Sequence, residues 1–178
     1  MPDCAPQRYT TRTLPSYRHV PGSTPHPTRD PDGHSYGRAS EVSGGSGASG
    51  GPGASGGPLP DLNTSDWRYC EAYLFGIDLF NLGYWWEAHE VLEGLWLAAG
   101  TRSQAGHVLQ ALIQCAAAHL KAESDSADSA ARLFDHSLAH FKWTGPRFLG
   151  LDLEAVVRDT RTFITVGTTA PARLVLEF

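Results

Sequence analysis

The sequence predicts an all-α protein, a compact bundle of about five antiparallel helices preceded by a Pro/His-rich arm and a Gly/Ser linker. Three observations carry this. Between residue 61 and about residue 165, Leu, Ala, Trp and Phe recur at helical spacing. The connectors between these runs are short, which makes neighbouring helices antiparallel. Period-two alternation is confined to Arg173–Phe178.

The first helix is expected from about Ser65 to Leu82, with Asn63, Thr64 or Ser65 as its N-cap. It is apolar around most of its circumference, which requires cover on more than one side. Glu71 and Asp78, two turns apart on it, face either a pocket or water. The second helix runs from about Tyr84 to Ala98, stopped by Gly100. The third runs from about Ser103 to Glu123 and the fourth from about Ala127 to Lys142, ahead of Gly145-Pro146. The fifth runs from about Leu153 to Ile164, with Asp152 as its cap. The predicted core includes Trp67, Leu74, Ile77, Trp85, Ala88, Leu92, Leu95, Leu109, Leu112, Ile113, Ala116, Leu133, Phe134, Leu138, Val156 and Phe163.

Composition divides the chain. Residues 1–42 form an arm rich in Pro, Arg, His and Tyr, with too few aliphatic side chains for a core. Residues 43–60 are Gly, Ser and Pro and read as a flexible linker. Residues 61–165 form the bundle, and 166–178 a short tail. The arm can become ordered only by docking on the bundle.

The 178 residues carry 14 Lys and Arg against 19 Asp and Glu, a net charge of −5. That balance argues against nucleic acid as a partner, because phosphate binding needs clustered cations. No apolar run is long enough to span a bilayer, so no membrane partner is expected. The N-terminus has no signal-peptide character. Cys4, Cys70 and Cys115 are too few and scattered for a disulfide framework. A reduced, cytoplasmic location follows as the expectation.

The candidate chemistry lies on the second and third helices. His89 and Glu93 are one turn apart, beside Trp86 and Trp96, on a face that is not a plain charged surface. A partly covered carboxylate needs a donor, a cation or a metal. On the third helix Gln110, Gln114 and Lys121 align, flanked by small residues, and are expected to answer the His89/Glu93 face. His89 with Glu93 reads either as a structural hydrogen-bonded pair or as a functional site. His119 falls on the apolar side of its helix and reads as a core histidine. His136 and His140 have a chelating spacing but read as a solvated face.

The run FNLGYWWEAHEVLEGLW, followed by LQALIQCAAAHLK, resembles the domain of unknown function 309 family. That family has an E-A-H-E-x-x-E-x-x-W-like core on one helix, matched by Glu87, Ala88, His89, Glu90, Glu93 and Trp96. Its next helix, L-Q-x-L-I-Q-x-A-A-A with a basic residue near the end, is matched from Leu109 through Ala118 and by Lys121. The stretch FLGLDLEAVV is similar to the family's later part, so the resemblance covers roughly residues 67–165. It implies a compact helical bundle and no established reaction. Among longer members, a Pro-His-Pro and Gly-His-Ser arm such as that around His26 and His34 is expected.

Two function classes follow. One is a metal-dependent, hydrolase-like enzyme with His89, Glu90 and Glu93 as the catalytic group. His89, Glu93, His26 and His34 would be the ligands of a divalent metal, the candidate cofactor. Trp86, Trp96, Gln110, Gln114 and Lys121 would line the ligand site. The His-Glu-x-x-Glu run departs from the H-E-x-x-H zinc motif at its last position, so the arm histidines are expected to supply the missing ligand. The absence of a Glu-x-x-His pair on the helices argues against a di-iron bundle. The other class is a non-catalytic module for a small ligand or peptide. The hairpin around Asn81–Trp86 resembles tetratricopeptide hairpins, without a second copy. A purely structural polar network is the third reading.

Overall fold

The computed structural model describes residues 6–37, 61–124, 126–167 and 170–178. The predicted linker 43–60 lies outside the described residues. Five α-helices make the bundle: α1 (Glu71–Asn81), α2 (Trp85–Ala99), α3 (Gln104–Glu123), α4 (Ala127–Phe141) and α5 (Leu153–Val166). They agree with the predicted helices except at the first. There a 3-10 helix, Ser65–Tyr69, is capped by Thr64, whose side chain accepts from the Asp66 N–H. Cys70 then breaks the run with φ −83° and ψ 89°, and α1 starts afresh at Glu71. Asn63, the other candidate cap, serves a different helix, since its Oδ1 accepts the Ala105 N–H at 3.1 Å. With Ser103 Oγ, which accepts from Gly106, it closes the start of α3.

Asp152 caps α5 as predicted, accepting the Ala155 N–H at 3.0 Å. Just before it lies a hairpin that periodicity did not announce, β1 (Arg147–Phe148) paired antiparallel with β2 (Leu151–Asp152). Its turn needs positive φ at Leu149 (52°) and Gly150 (74°). At Gly150 a Cβ would come within 2.3 Å of the Trp67 ring, so only glycine fits. The Tyr73 hydroxyl donates to Leu149 O at 2.8 Å from the core side.

The core is continuous through the helices. Ile77, Ala88, Leu92, Leu109, Leu112 and Ala116 are fully or almost fully buried. Of the predicted core, Leu133, Leu138 and Phe163 are only partly buried, packed against its edge. The tail holds three more core side chains, Ala172, Leu174 and Leu176, alternating with exposed neighbours. Asn81 fixes it like a strand partner: its side-chain amide donates to Leu174 O and accepts from Leu174 N–H. Leu176 forms a bridge with Leu151. His119 is a core histidine, as its place on α3 predicts. Its Nδ1 bonds Cys115 O at 2.8 Å, and its ring stacks on Phe163.

The arm lies over α1 and α2, held by two buried carboxylates. Asp78, with no exposed surface, accepts from Tyr9 N–H, Thr10 N–H and Thr10 Oγ1 at 2.7, 2.9 and 2.7 Å. Arg8 adds a cation at 3.6 Å. So Asp78 faces neither water nor a pocket; it anchors a peptide. Glu71 of the same helix is exposed. Among the described residues, no helix is long and apolar enough to cross a membrane.

Candidate functional site

Helix α2 carries the candidate groups, and its sequence dictates their directions. Ala88, Leu92 and Leu95 turn into the core. Successive residues step round the helix, so Trp86, His89, Glu90 and Glu93 are left toward the other side. His89 and Glu90 are half-buried and Glu93 is exposed. One ligand atom from each of His89, Glu90 and Glu93 falls within 4.8 Å of the others. Within that group His89 Nε2 and Glu93 Oε2 are 4.0 Å apart. Two donors in tetrahedral or cis positions on one ion at about 2.1 Å each stand about 3.0–3.4 Å apart, so side-chain rotation that closes the pair by about 1 Å or less would let it share a cation. Burial pushes the Glu90 carboxyl upward from its ordinary range. The charges of Glu93 and Glu87 push the same way, and His89 opposes them.

The arm histidines are placed elsewhere than the metal reading requires. His34 Nε2 lies 3.0 Å from Glu87 Oε1, and its Nδ1 is 2.9 Å from Ser35 Oγ. His26 meets the edge of Trp86, with centroids 5.5 Å apart. Among the described residues, the metal-sized group on α2 consists of His89, Glu90 and Glu93, without His26 or His34. The physical reason is that Glu87, two residues before His89 and inward-facing, takes the arm's polar groups first.

Glu87 is matched to the family's core in the sequence but is not counted among the candidate site residues. It is 4% exposed. Its Oε1 accepts the His19 N–H at 2.8 Å as well as facing His34. Its Oε2 is buried without a hydrogen-bond partner. His19 also packs edge-on against Trp86. Burial lowers the His19 pKa, the neighbouring His26 lowers it further, and Glu87 opposes both. The loop from His26 to Ser35 is closed on itself by Ser35 N–H to Pro27 O. Gly33 permits this closure, since a Cβ there would sit 2.3 Å from Pro27 O. The available signal for Glu87 was its place between Trp85 and Ala88, two core positions.

The other predicted lining residues do not join this group. Gln110 is half-buried and Lys121 exposed. Gln114 Oε1 and Trp96 Nε1 are buried without partners. Among the described residues, no hydrogen bond links Gln110, Gln114 or Lys121 to His89, Glu90 or Glu93.

No curated protein matches the chain. Residues 73–133 match a family model, within the 67–165 to which the resemblance extended. The matched stretch includes most of α1, all of α2 and α3, and the first half of α4. It contains Asp78, Glu87 and the His89/Glu90/Glu93 group, and leaves out the arm that docks on them. Over residues 73–133 the chain is similar to the family described as Domain of unknown function (DUF309).

Proposed function

We propose that the protein is a divalent-metal-dependent, hydrolase-like enzyme of the cytoplasm, with its ion held by His89, Glu90 and Glu93. The observation that carries this is the convergence of one imidazole and two carboxylates within 4.8 Å on one helix. Three protein donors leave coordination positions open for water and substrate. The donor set suits Zn²⁺ or Mn²⁺. A cation there would offset the burial and, after it, the carboxylate repulsion that raise the Glu90 carboxyl. Half-exposed ligands keep the site open to a small-molecule or peptide substrate. The buried free thiols of Cys70 and Cys115 agree with a reduced compartment.

Equilibrium dialysis of the full chain against Mn²⁺ tests the reading, followed by hydrolytic screening of the loaded protein. Glu93→Gln removes a charge and keeps the shape. It should leave the circular dichroism unchanged and weaken metal binding at least tenfold. If the parent takes up no ion, or Glu93→Gln binds as the parent does, the metal reading fails.

A second reading, a non-catalytic binding module, is favoured by a separate groove of about 750 Å³. Leu82, Trp85, Phe163 and Ile164 line its apolar wall, and the Arg18–Glu123 ion pair borders it.

A further inference from the structure

The start of α3 and the end of α4 lie side by side, as antiparallel neighbours must. There His107, one turn into α3, meets His140, in the last turn of α4. Their Nδ1 atoms are 3.1 Å apart, and their ring centroids 5.4 Å. The Trp143 indole, 68% exposed, lies flat on His107 with centroids 5.1 Å apart and planes 10° from parallel. His136 stands one turn before His140 and is exposed.

We propose that His107 and His140 form a second metal site, a two-imidazole clamp for late first-row divalent cations such as Ni²⁺, Cu²⁺ and Zn²⁺, capped on one side by Trp143. Two nitrogens bound to one ion at about 2.0–2.1 Å, at angles between square and tetrahedral, stand about 2.9–3.4 Å apart. The observed 3.1 Å matches that bite, and the rings, which meet head-on, would each turn by about 40° to aim both lone pairs at one ion. Without an ion, one Nδ1 donates its proton to the other. With an ion, both rings take the tautomer protonated at Nε2, so the neutral pair binds by shifting one proton between ring nitrogens. Imidazole donors favour these cations over Mg²⁺ and Ca²⁺. This site is on the α3/α4 edge and shares no residue with the group on α2.

The test uses the full chain carrying His89→Ala and Glu93→Gln, which disables the α2 group. Titration with Ni²⁺ should give one equivalent bound, with quenching of the Trp143 emission. Trp143→Phe should keep the stoichiometry and lose that part of the quenching. His107→Ala should lower the affinity at least tenfold, with circular dichroism unchanged. Mg²⁺ should neither bind nor quench. The proposal is overturned if no Ni²⁺ binds to this background, or if His107→Ala and His140→Ala both bind as tightly as their parent. Because the α2 group is absent throughout, neither outcome bears on the proposed enzyme site.

Discussion

His34 of the arm and Glu87 of α2 are 53 positions apart, and Nε2 of the one lies 3.0 Å from Oε1 of the other. Both side chains are nearly buried, at 8% and 5% exposure. Together with the His19 N–H, this contact joins the arm to the helix that carries the candidate site. Glu87→Ala should release the arm while the helices stay formed. A buried N–H and an imidazole would lose their acceptor, at a cost of about 1–3 kcal/mol each. Tryptic cleavage after Arg18 and Arg29 should accelerate at least tenfold, with far-ultraviolet dichroism almost unchanged. Equal cleavage rates would show that Glu87 does not hold the arm.

Asp78 is the second anchor, and its chemistry is stricter. It accepts from two backbone N–H groups and a hydroxyl at 2.7–2.9 Å in a fully buried position. Asp78→Asn puts an NH₂ against donors and removes the charge facing Arg8. A loss of about 2–4 kcal/mol in urea unfolding is expected. A loss under about 0.5 kcal/mol would mean that the arm contributes nothing to global stability.

Leu92 has no exposed surface and packs toward Gly76 of α1. Leu92→Ala should cost about 2–5 kcal/mol, the range for a large core side chain replaced where neighbours only partly collapse. Chemical denaturation measures it directly.

His119 makes stability depend on pH. Burial among Phe80, Trp85 and Phe163 lowers its pKa to about 4, against 6.5 in the unfolded chain. The unfolded state therefore binds the proton first as pH falls. The stabilising contribution is complete above about pH 6.5 and is lost progressively down to about pH 4. The loss amounts to about 3 kcal/mol. In His119→Leu that part of the acid slope should vanish. An unchanged slope between pH 6.5 and 4 would assign the acid sensitivity to other groups.

The helices were legible because each buries a stripe whose period the sequence displays. Leu109, Leu112 and Ala116 on α3 needed nothing from elsewhere to be placed. Gly100 and Asp152 were legible as terminators because capping is local. The break at Cys70 was not, since the residues either side of it are apolar enough to continue a helix and tertiary packing decides otherwise. Glu87 and Asp78 were harder still. Their partners sit 53 to 69 residues earlier, in a segment with no periodicity. His89, Glu90 and Glu93 were legible as neighbours because helix geometry alone brings them together. The directions taken by His26 and His34 depend on loop closure around Gly33 and lay beyond pattern reading.

The tail strand has a consequence for how the molecule is made. The Leu176 N–H reaches the Tyr9 hydroxyl at 2.9 Å, across 167 positions, and Tyr9 also meets the Phe178 ring. The helices can form while the polypeptide is still being synthesised, but Leu174 and Leu176 complete the core only after the chain has been made past them. Until then Asn81 and the inner face of β2 lack their partner. Closure of that seam therefore comes after the helices in the order of synthesis, and a chain interrupted before Leu174 would present a bundle open along it.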